Sequence, residues 1–537
     1  MSSSDLPASS PSCQTLLQSF LQLEGLPFAE VLTDDDCQRL FHKHGLATQT
    51  ECHAGPTPNA DHDAAELPAA PTTGAATPPP RATPCPTWTP VLTLWTFLHQ
   101  VLSTSKSCTA AVLRAIVLLA GFGCPGCSEN PGGYSKARAR LPQGLAQDLT
   151  LHLGQRLEAA CPESWRWLGH RVLLADGWVV TLPDTPQNQQ AYPQPKSQKK
   201  GLGFPQIRLV ALFALACNAL VEVRWGPCHG KRTGETALLR DIFDQLRPGD
   251  VLVADRYYCS YFMIALLKQR GVEVVFPLHQ CRQHSFGQGQ SLGEEDEVVT
   301  WQKPKQRPEW LTAEDYAALP DTLQVRMIGV TVRQRGFRVQ HLLLTTTLLN
   351  AATYSKADVS LLYKDRWQVE GMIRSLKTYM GMEMLRCKTP SMVHKEIWTY
   401  LLGYNLTRKI MAQAALRHGY QPWEISFSHT LQSLQAYRYA LATASPTAAP
   451  ALAEQLLLGL TKMRVGHRPD RVEPRQVKRR PKPYGLLMKP RAEIREEILN
   501  RPGGEPRSKN QRRRPPPGPA PASSATGSGG SGNDAAP

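Results

Sequence analysis

Three carboxylates in this sequence sit where they need a reason. Asp176 interrupts the apolar run LLADGWVV. A strand interior disfavours Asp, so a metal or a partner must offset its burial, unless the strand stops at Ala175 and Asp176 opens a DG turn. Asp255 leaves the buried run DVLVAD immediately before RYYCSYF. Ligand sites in open α/β sheets gather beyond the carboxyl ends of strands, although the same position also suits a helix N-cap. Glu370 lies within YKDRWQVEGMIRSLK. At about 100° per residue, Tyr363, Arg366, Glu370 and Lys377 fall within roughly 60° of one another on a helix, and Val369, Ile373, Leu376 and Met380 supply a buried face. That face carries one carboxylate with cations one turn before and two turns after it. An ordinary salt-bridged surface helix would read the same way. Asp184, in LPDTPQN, reads as a turn residue. Three carboxylates drawn from separate elements can hold two divalent cations about 3.5 to 4 Å apart, the arrangement that activates an attacking oxygen and stabilises a leaving one.

The elements that must position these residues follow from periodicity. Residues 1–52 read as a small helical module, with apolar Leu16, Leu17, Phe20, Leu21 and Leu40 at helical spacing and Asp34 to Asp36 opening a second helix. Residues 53–86 turn to Ala, Pro, Thr and Gly and read as a disordered linker. Residues 87–168 are helical again, led by VLTLWTFLHQVL and AAVLRAIVLLAGF. They are either a DNA-binding domain or a plain helical pack, with no helix-turn-helix signature to decide. Then RVLLADGWVV, QIRLVALFALAC, ALVEVRW, DVLVAD and VEVVFPL read as strands, with GETALLRDIFDQL and CSYFMIALLKQRG as helices among the later ones. Three strands in succession, then helix, strand, helix and strand, predict a mixed α/β sheet over 169–280, completed by 356–420. Between these parts, residues 281–355 read as a β-rich insertion, with EVVTWQ, TLQVRMIGVTV and GFRVQHLLLTTTLL as its strands. One long helix is expected from Lys356 to Met380. A helical region covers 421–463, and 464–537 is a basic, Pro-rich, largely disordered tail.

Composition narrows the partner. The chain has 537 residues and a formal charge of +16, which favours a polyanion, since Lys and Arg release counterions from a phosphate backbone. From Arg464 to Arg514 there are 17 Lys and Arg against 6 Asp and Glu, which is either a contact for that polyanion or a solvated tail. No segment reads as a membrane span, because the best apolar stretch, Ala110 to Gly123, is broken by Arg114 and shorter than the roughly 20 residues needed. The opening MSSSDLPASS lacks the regions of a signal peptide. Thirteen scattered cysteines point to reduced thiols rather than a disulfide framework. Cys124 and Cys127 form a CxxC without a second ligand pair, so it reads as a turn and no zinc is assigned.

The spacing Y-x2-R-x3-E-x6-K at Tyr363, Arg366, Glu370 and Lys377 matches the signature of the insertion-sequence family 4 transposases. DGWVVTLPDTPQN resembles that family's first-Asp segment, LVADRYYCSYF its second, and the β-rich insertion lies where the family places one. The resemblance covers roughly residues 165–420. It implies a ribonuclease H-like fold with a catalytic and metal-binding triad of Asp176, Asp255 and Glu370, using Mg²⁺ with Mn²⁺ as a substitute. It also implies DNA-end contacts from Tyr363, Arg366 and Lys377, and an aromatic from the insertion, either Trp301 or Trp310, stacking on a flipped base. The expected activity is cleavage at the ends of a mobile element and strand transfer into target DNA. The expected partners are double-stranded DNA carrying terminal inverted repeats and a second copy of the chain, on the nucleoid of a bacterial cytoplasm. The alternatives are a nuclease of the same fold without strand transfer, or a transposase-derived DNA-binding protein.

Overall fold

The computed structural model describes residues 11–47, 88–124, 126–199, 201–332, 340–465 and 488–500. The linker expected over 53–86 and most of the basic tail lie outside these residues. The chain divides into two compact units, Met1–Gln198 with Gly203–Val477, and Lys199–Leu202 with Lys478–Pro537. The described part of the second includes the helix Arg491–Leu499, a stretch of regular structure inside the segment expected to be largely disordered.

In the first unit a sheet of nine strands, among the described residues, runs in the order β3-β2-β1-β4-β5-β9-β8-β7-β6. The strands are β1 (Val172–Thr181), β2 (Gln206–Ala214), β3 (Leu220–Pro227), β4 (Val251–Val253), β5 (Glu273–Pro277), β6 (Gln290–Gly293), β7 (Asp296–Gln302), β8 (Thr322–Val332) and β9 (Gln340–Thr346). β1 and β4 are parallel, as are β4 and β5, while every other neighbouring pair is antiparallel. The fold is therefore mixed α/β. The segment 281–355, expected to be a β-rich insertion, contributes β6 to β9, which continue the sheet outward from β5, and also a short helix, Ala313–Ala318.

Alternation along β1 sorts its side chains onto two faces. Leu174, Trp178 and Val180 join one core with the helices Pro90–Leu102, Gln143–Ala159 and Pro390–His418. Leu173 and Ala175 join a second core with the helices Glu235–Arg240 and Tyr261–Gln269. Both faces are covered, which is why the strands read as near-continuous apolar runs.

The axis of the first core is Pro390–His418, a helix of 29 residues that starts with Pro at its first turn and stops at Gly419, φ 73°. It carries polar groups into the interior and satisfies them there. The Asn405 side chain donates to Thr150 O and Leu220 O and accepts from Leu220 N, joining a helix to β3. The fully buried Lys409 donates to Phe20 O, Leu21 O and Gln22 Oε1. The N-terminal helices Cys13–Gln18 and Asp34–Lys43 are thus held in the same core as the sheet.

The single helix expected over 356–380 is three pieces: Lys356–Asp365, Gln368–Arg374 and a π-helical turn, Ser375–Tyr379. The break at Arg366 and Trp367 leaves Arg366 buried and Trp367 exposed. The wide turn opens after Gly371, a weak helix former, whose carbonyl accepts from Ser375 Oγ at 2.8 Å. A side-chain bond of that kind competes with the ladder.

Candidate active site

The register of two parallel strands brings the first two acids together. Leu174 pairs with Val253 across β1 and β4. Asp176 and Asp255 each lie two residues further on, so they share a level, and strands stand about 4.8 Å apart. β1 continues through Asp176, which sits opposite the small Ala211 of β2, so the strand does not end at Ala175. β4 stops at Val253 and parts from β1, leaving the Asp176 side of β1 open. Asp255 then caps the 3-10 turn Arg256–Tyr258, its Oδ1 accepting from Tyr257 N at 2.6 Å. The capping role and the site position coexist at this residue. Asp176 Oδ1 accepts from Gly177 N at 2.7 Å.

Arg366 links Asp176 to Glu370. Its side chain is only 10% exposed; Nη1 lies 4.0 Å from Asp176 Oδ2 and Nη2 lies 3.7 Å from Glu370 Oε1. Its guanidinium carbon sits 5.6 Å from the centre of the Tyr363 ring, within cation–π range. Helix Gln368–Arg374 packs on β1 through buried Val369 and Met372, which leaves Glu370, 60% exposed, at the open side. The helix break changes the expected face: Tyr363 and Arg366 belong to one piece and its end, Glu370 to the next. Lys377 lies on the π turn, where its Nζ is 4.0 Å from Glu383 Oε1, and no contact ties it to Glu370.

Sequence reasoning missed a fourth carboxylate. Glu235, the first residue of Glu235–Arg240, lies against Gly177: a Cβ built on that glycine would stand 2.8 Å from Glu235 Cδ. Its Oε1 is 3.7 Å from Arg208 Nε. In the sequence, an acid after Gly at a helix start reads as a favourable first-turn charge, and only the sheet reveals its neighbours. Trp301 and Trp310 both lie under arginines, Arg282 at 4.0 Å and Arg240 at 3.8 Å. Cys124 and Cys127 pack, partly buried, against the first core. Asp184 lies in the loop before a short helix, Pro186–Ala191, and accepts from Gln189 Nε2.

The electrostatics of the pair favour a cation. Burial pushes the Asp176 carboxyl up to about 6. The Gly177 N–H and Arg366 oppose that rise, and the charges of Asp255 and Glu235 add to it. Glu235 is raised too, by burial first and with a contribution from Asp255, against Arg208. Crowded, desolvated carboxylates resist ionising together unless positive charge is supplied. Oxygen donors of this kind are those that hard divalent cations take. Among the described residues no three His, Cys, Asp or Glu are already gathered at metal-binding distance. Arg366 serves as the counter-charge between Asp176 and Glu370. In type and in electrostatics, then, the residues fit such an ion.

The transposase DDE domain family matches residues 167–406, a segment that contains all three acids. Transposase InsG for insertion sequence element IS4, from Escherichia coli (strain K12), is 27% identical over 358 residues, which covers 66% of this chain and 78% of that protein. Among solved structures, the piggyBac transposase synaptic complex with hairpin DNA aligns over 87% of this chain and 88% of its own, with a TM-score of 0.38 and 9% identity.

Proposed function

From the premise that the chain belongs to the DDE transposases of the insertion-sequence family 4 type, enzymes of DNA transposition, we propose that Asp176, Asp255 and Glu370 are its catalytic acids. They hold divalent cations, Mg²⁺ with Mn²⁺ as a substitute, on a ribonuclease H-like core formed by the β3-β2-β1-β4-β5 half of the sheet. The observation that carries this reading is the Leu174–Val253 register, which sets Asp176 beside Asp255 while Arg366 reaches from Asp176 to Glu370.

Bound cations supply Lewis acidity to the attacking water or 3′ hydroxyl and to the leaving 3′ oxygen. The chain's own residues do the rest. Asp176 presents its oxygen donors from β1 and Asp255 from the turn just beyond β4, the two brought to one level by the register of those strands. Arg366 is held by burial and by the Tyr363 ring. It neutralises a non-bridging phosphate oxygen when DNA enters, as phosphoryl transfer depends chiefly on positioning and charge. Tyr363 and Lys377 contact phosphates of the DNA end. The substrates are double-stranded DNA with terminal inverted repeats and a target duplex, two copies of the chain act together, and the protein works on chromosomal DNA in a bacterial cytoplasm. No described helix is long and apolar enough to cross a membrane.

The test is cleavage of an end-labelled duplex carrying the element's terminal repeat, with Mg²⁺ or Mn²⁺, by the native protein and by Glu370→Gln. Metal-dependent nicking at the repeat boundary and joined products with added target are expected from the native protein, and neither from the variant. Equal cleavage by both proteins would remove Glu370 from the site.

A further inference from the structure

β1 has two faces, and the triad uses only one of them. Glu370 belongs to a helix packed on the face of Leu174 and Trp178. The opposite face, that of Leu173 and Ala175, has its own polar groups at the level of Asp176. Glu235 opens a helix whose Ala237, Leu238 and Leu239 are buried in that second core. Gly177 is the β1 residue that would otherwise project there. Because it has no side chain, the Glu235 carboxylate lies directly on the strand, its Cγ, Cδ and Oε1 within 2.8–3.0 Å of where a Cβ would stand. Glu235 is 31% exposed, so it remains open to solvent.

A second observation is independent of the acids' crowding. Tyr258 ends the turn that Asp255 caps and is 1% exposed, yet its hydroxyl has no hydrogen-bond partner among the described residues. Buried hydroxyls are nearly always paired, and one left unmade costs free energy. Its surroundings are not apolar throughout. Besides burial, the charges of Glu235, Asp176 and Asp255, in that order, push its ionisation upward. A buried O–H donor is thus left unpaired at the end of the turn that Asp255 caps, within reach of the charge of three carboxylates and bonded to none of them, as a group is when its acceptor is a bound ligand's oxygen.

We propose that Glu235 is a fourth carboxylate of the active site, binding a divalent cation with Asp176 and Asp255 from the face opposite Glu370, and that the Tyr258 hydroxyl donates to an oxygen of that cation's hydration shell. The inference rests on the metal-dependent reading of the triad. It brings the second face of β1 to the site at the open edge that β4 leaves beyond Val253. Gly177 is then a functional requirement of that face, keeping the strand surface bare for Glu235.

Calorimetric titration of the full-length protein with Mn²⁺, in the absence of DNA, tests this without reading activity. The proteins compared are native, Asp176→Asn, Glu235→Gln, Tyr258→Phe and Gly177→Ala, each checked by circular dichroism and melting. Loss of a ligand or of an outer hydrogen bond costs about 10- to 100-fold in metal affinity. The expectation is a drop of that size for Glu235→Gln, and a smaller one for Gly177→Ala, which adds no charge and only pushes the Glu235 side chain aside. Tyr258→Phe should weaken binding about tenfold while leaving the melting temperature level or raised, because it deletes an unpaired hydroxyl; a purely structural tyrosine would not move the titration. Native-like Mn²⁺ binding by Glu235→Gln and Tyr258→Phe, beside weakened binding by Asp176→Asn, would overturn the inference and leave the triad standing. Unchanged binding in Asp176→Asn as well would overturn the metal reading itself. Should Glu235→Gln fail to fold, Tyr258→Phe and Gly177→Ala decide the matter by the same criterion.

Discussion

Asp176→Asn should make the metal-free protein more stable, and only at neutral pH. The carboxyl of Asp176 is raised from 3.8 to about 6 by burial and by the neighbouring acids. A folded-state value above the unfolded one means that folding favours the protonated form. The resulting contribution is fully present below about pH 3.8 and is lost as pH rises through about 6. Above that range the native protein carries a charge its own fold disfavours. A displacement from 3.8 to about 6 corresponds to about 3 kcal/mol. Asn keeps an oxygen for the Gly177 N–H, but Arg366 loses a partner, and the side chain is 22% exposed, so about 1 to 3 kcal/mol is the expected gain at pH 7.5. Urea unfolding of native and variant proteins at pH 7.5 and pH 4, with EDTA, measures it, and the gain should fade towards zero at the lower pH. Added Mg²⁺ should then stabilise the native protein and not the variant, since a ligand stabilises only the state that binds it. An equal gain at both pH values, or none at pH 7.5, would refute the account of why this acid is poised.

Two further outcomes follow from side chains outside the acids. Arg366→Lys keeps the charge but not the fork that spans 4.0 Å to Asp176 and 3.7 Å to Glu370; cleavage should fall about 100-fold with duplex affinity within a fewfold, measured by single-turnover nicking and by fluorescence anisotropy, and native rates would sink the role given to this arginine. Lys409→Met leaves the Phe20 carbonyl without its side-chain donor and the Leu21 carbonyl with Gln413 alone, so hydrogen exchange should show residues 11–47 opening first and the fold weakened by about 1 to 3 kcal/mol; unchanged protection there would show that the N-terminal helices are held without this lysine.

The candidate site was legible where it lay in local pattern. An Asp inside an apolar strand, an Asp just past one, and an Arg four residues before a Glu are all visible without coordinates, and the structure sets Asp176, Asp255, Arg366 and Glu370 around the end of β4. What stayed hidden depends on long-range register or on a single backbone event. Glu235 falls between the first two acids in the sequence with no local pattern to mark it, and it meets β1 only because the strand, bare at Gly177, passes beneath its helix. Tyr258 reads as another core aromatic beside Tyr257 and Tyr261. The break at Arg366 and the wide turn after Gly371 leave the helical periodicity intact on paper, so the division into three pieces was not legible there. The helices near the N-terminus gave no sign that Lys409, almost four hundred residues later, reaches into them.

The chain leaves the inner half of the sheet at β5 and returns to it at β9, where Val275 pairs with Thr346. Exit and re-entry are therefore neighbours, and everything between them is grafted on at one closed doorway. Lengthening such an excursion costs little, because loop-closure entropy grows only with the logarithm of length. Neither the turn bearing Asp255 nor the helix bearing Glu370 needs to move when β6 to β8 are rebuilt. Chains built on this sheet can thus exchange the outer strands, and with them whatever those strands touch, while keeping the acid cluster unaltered.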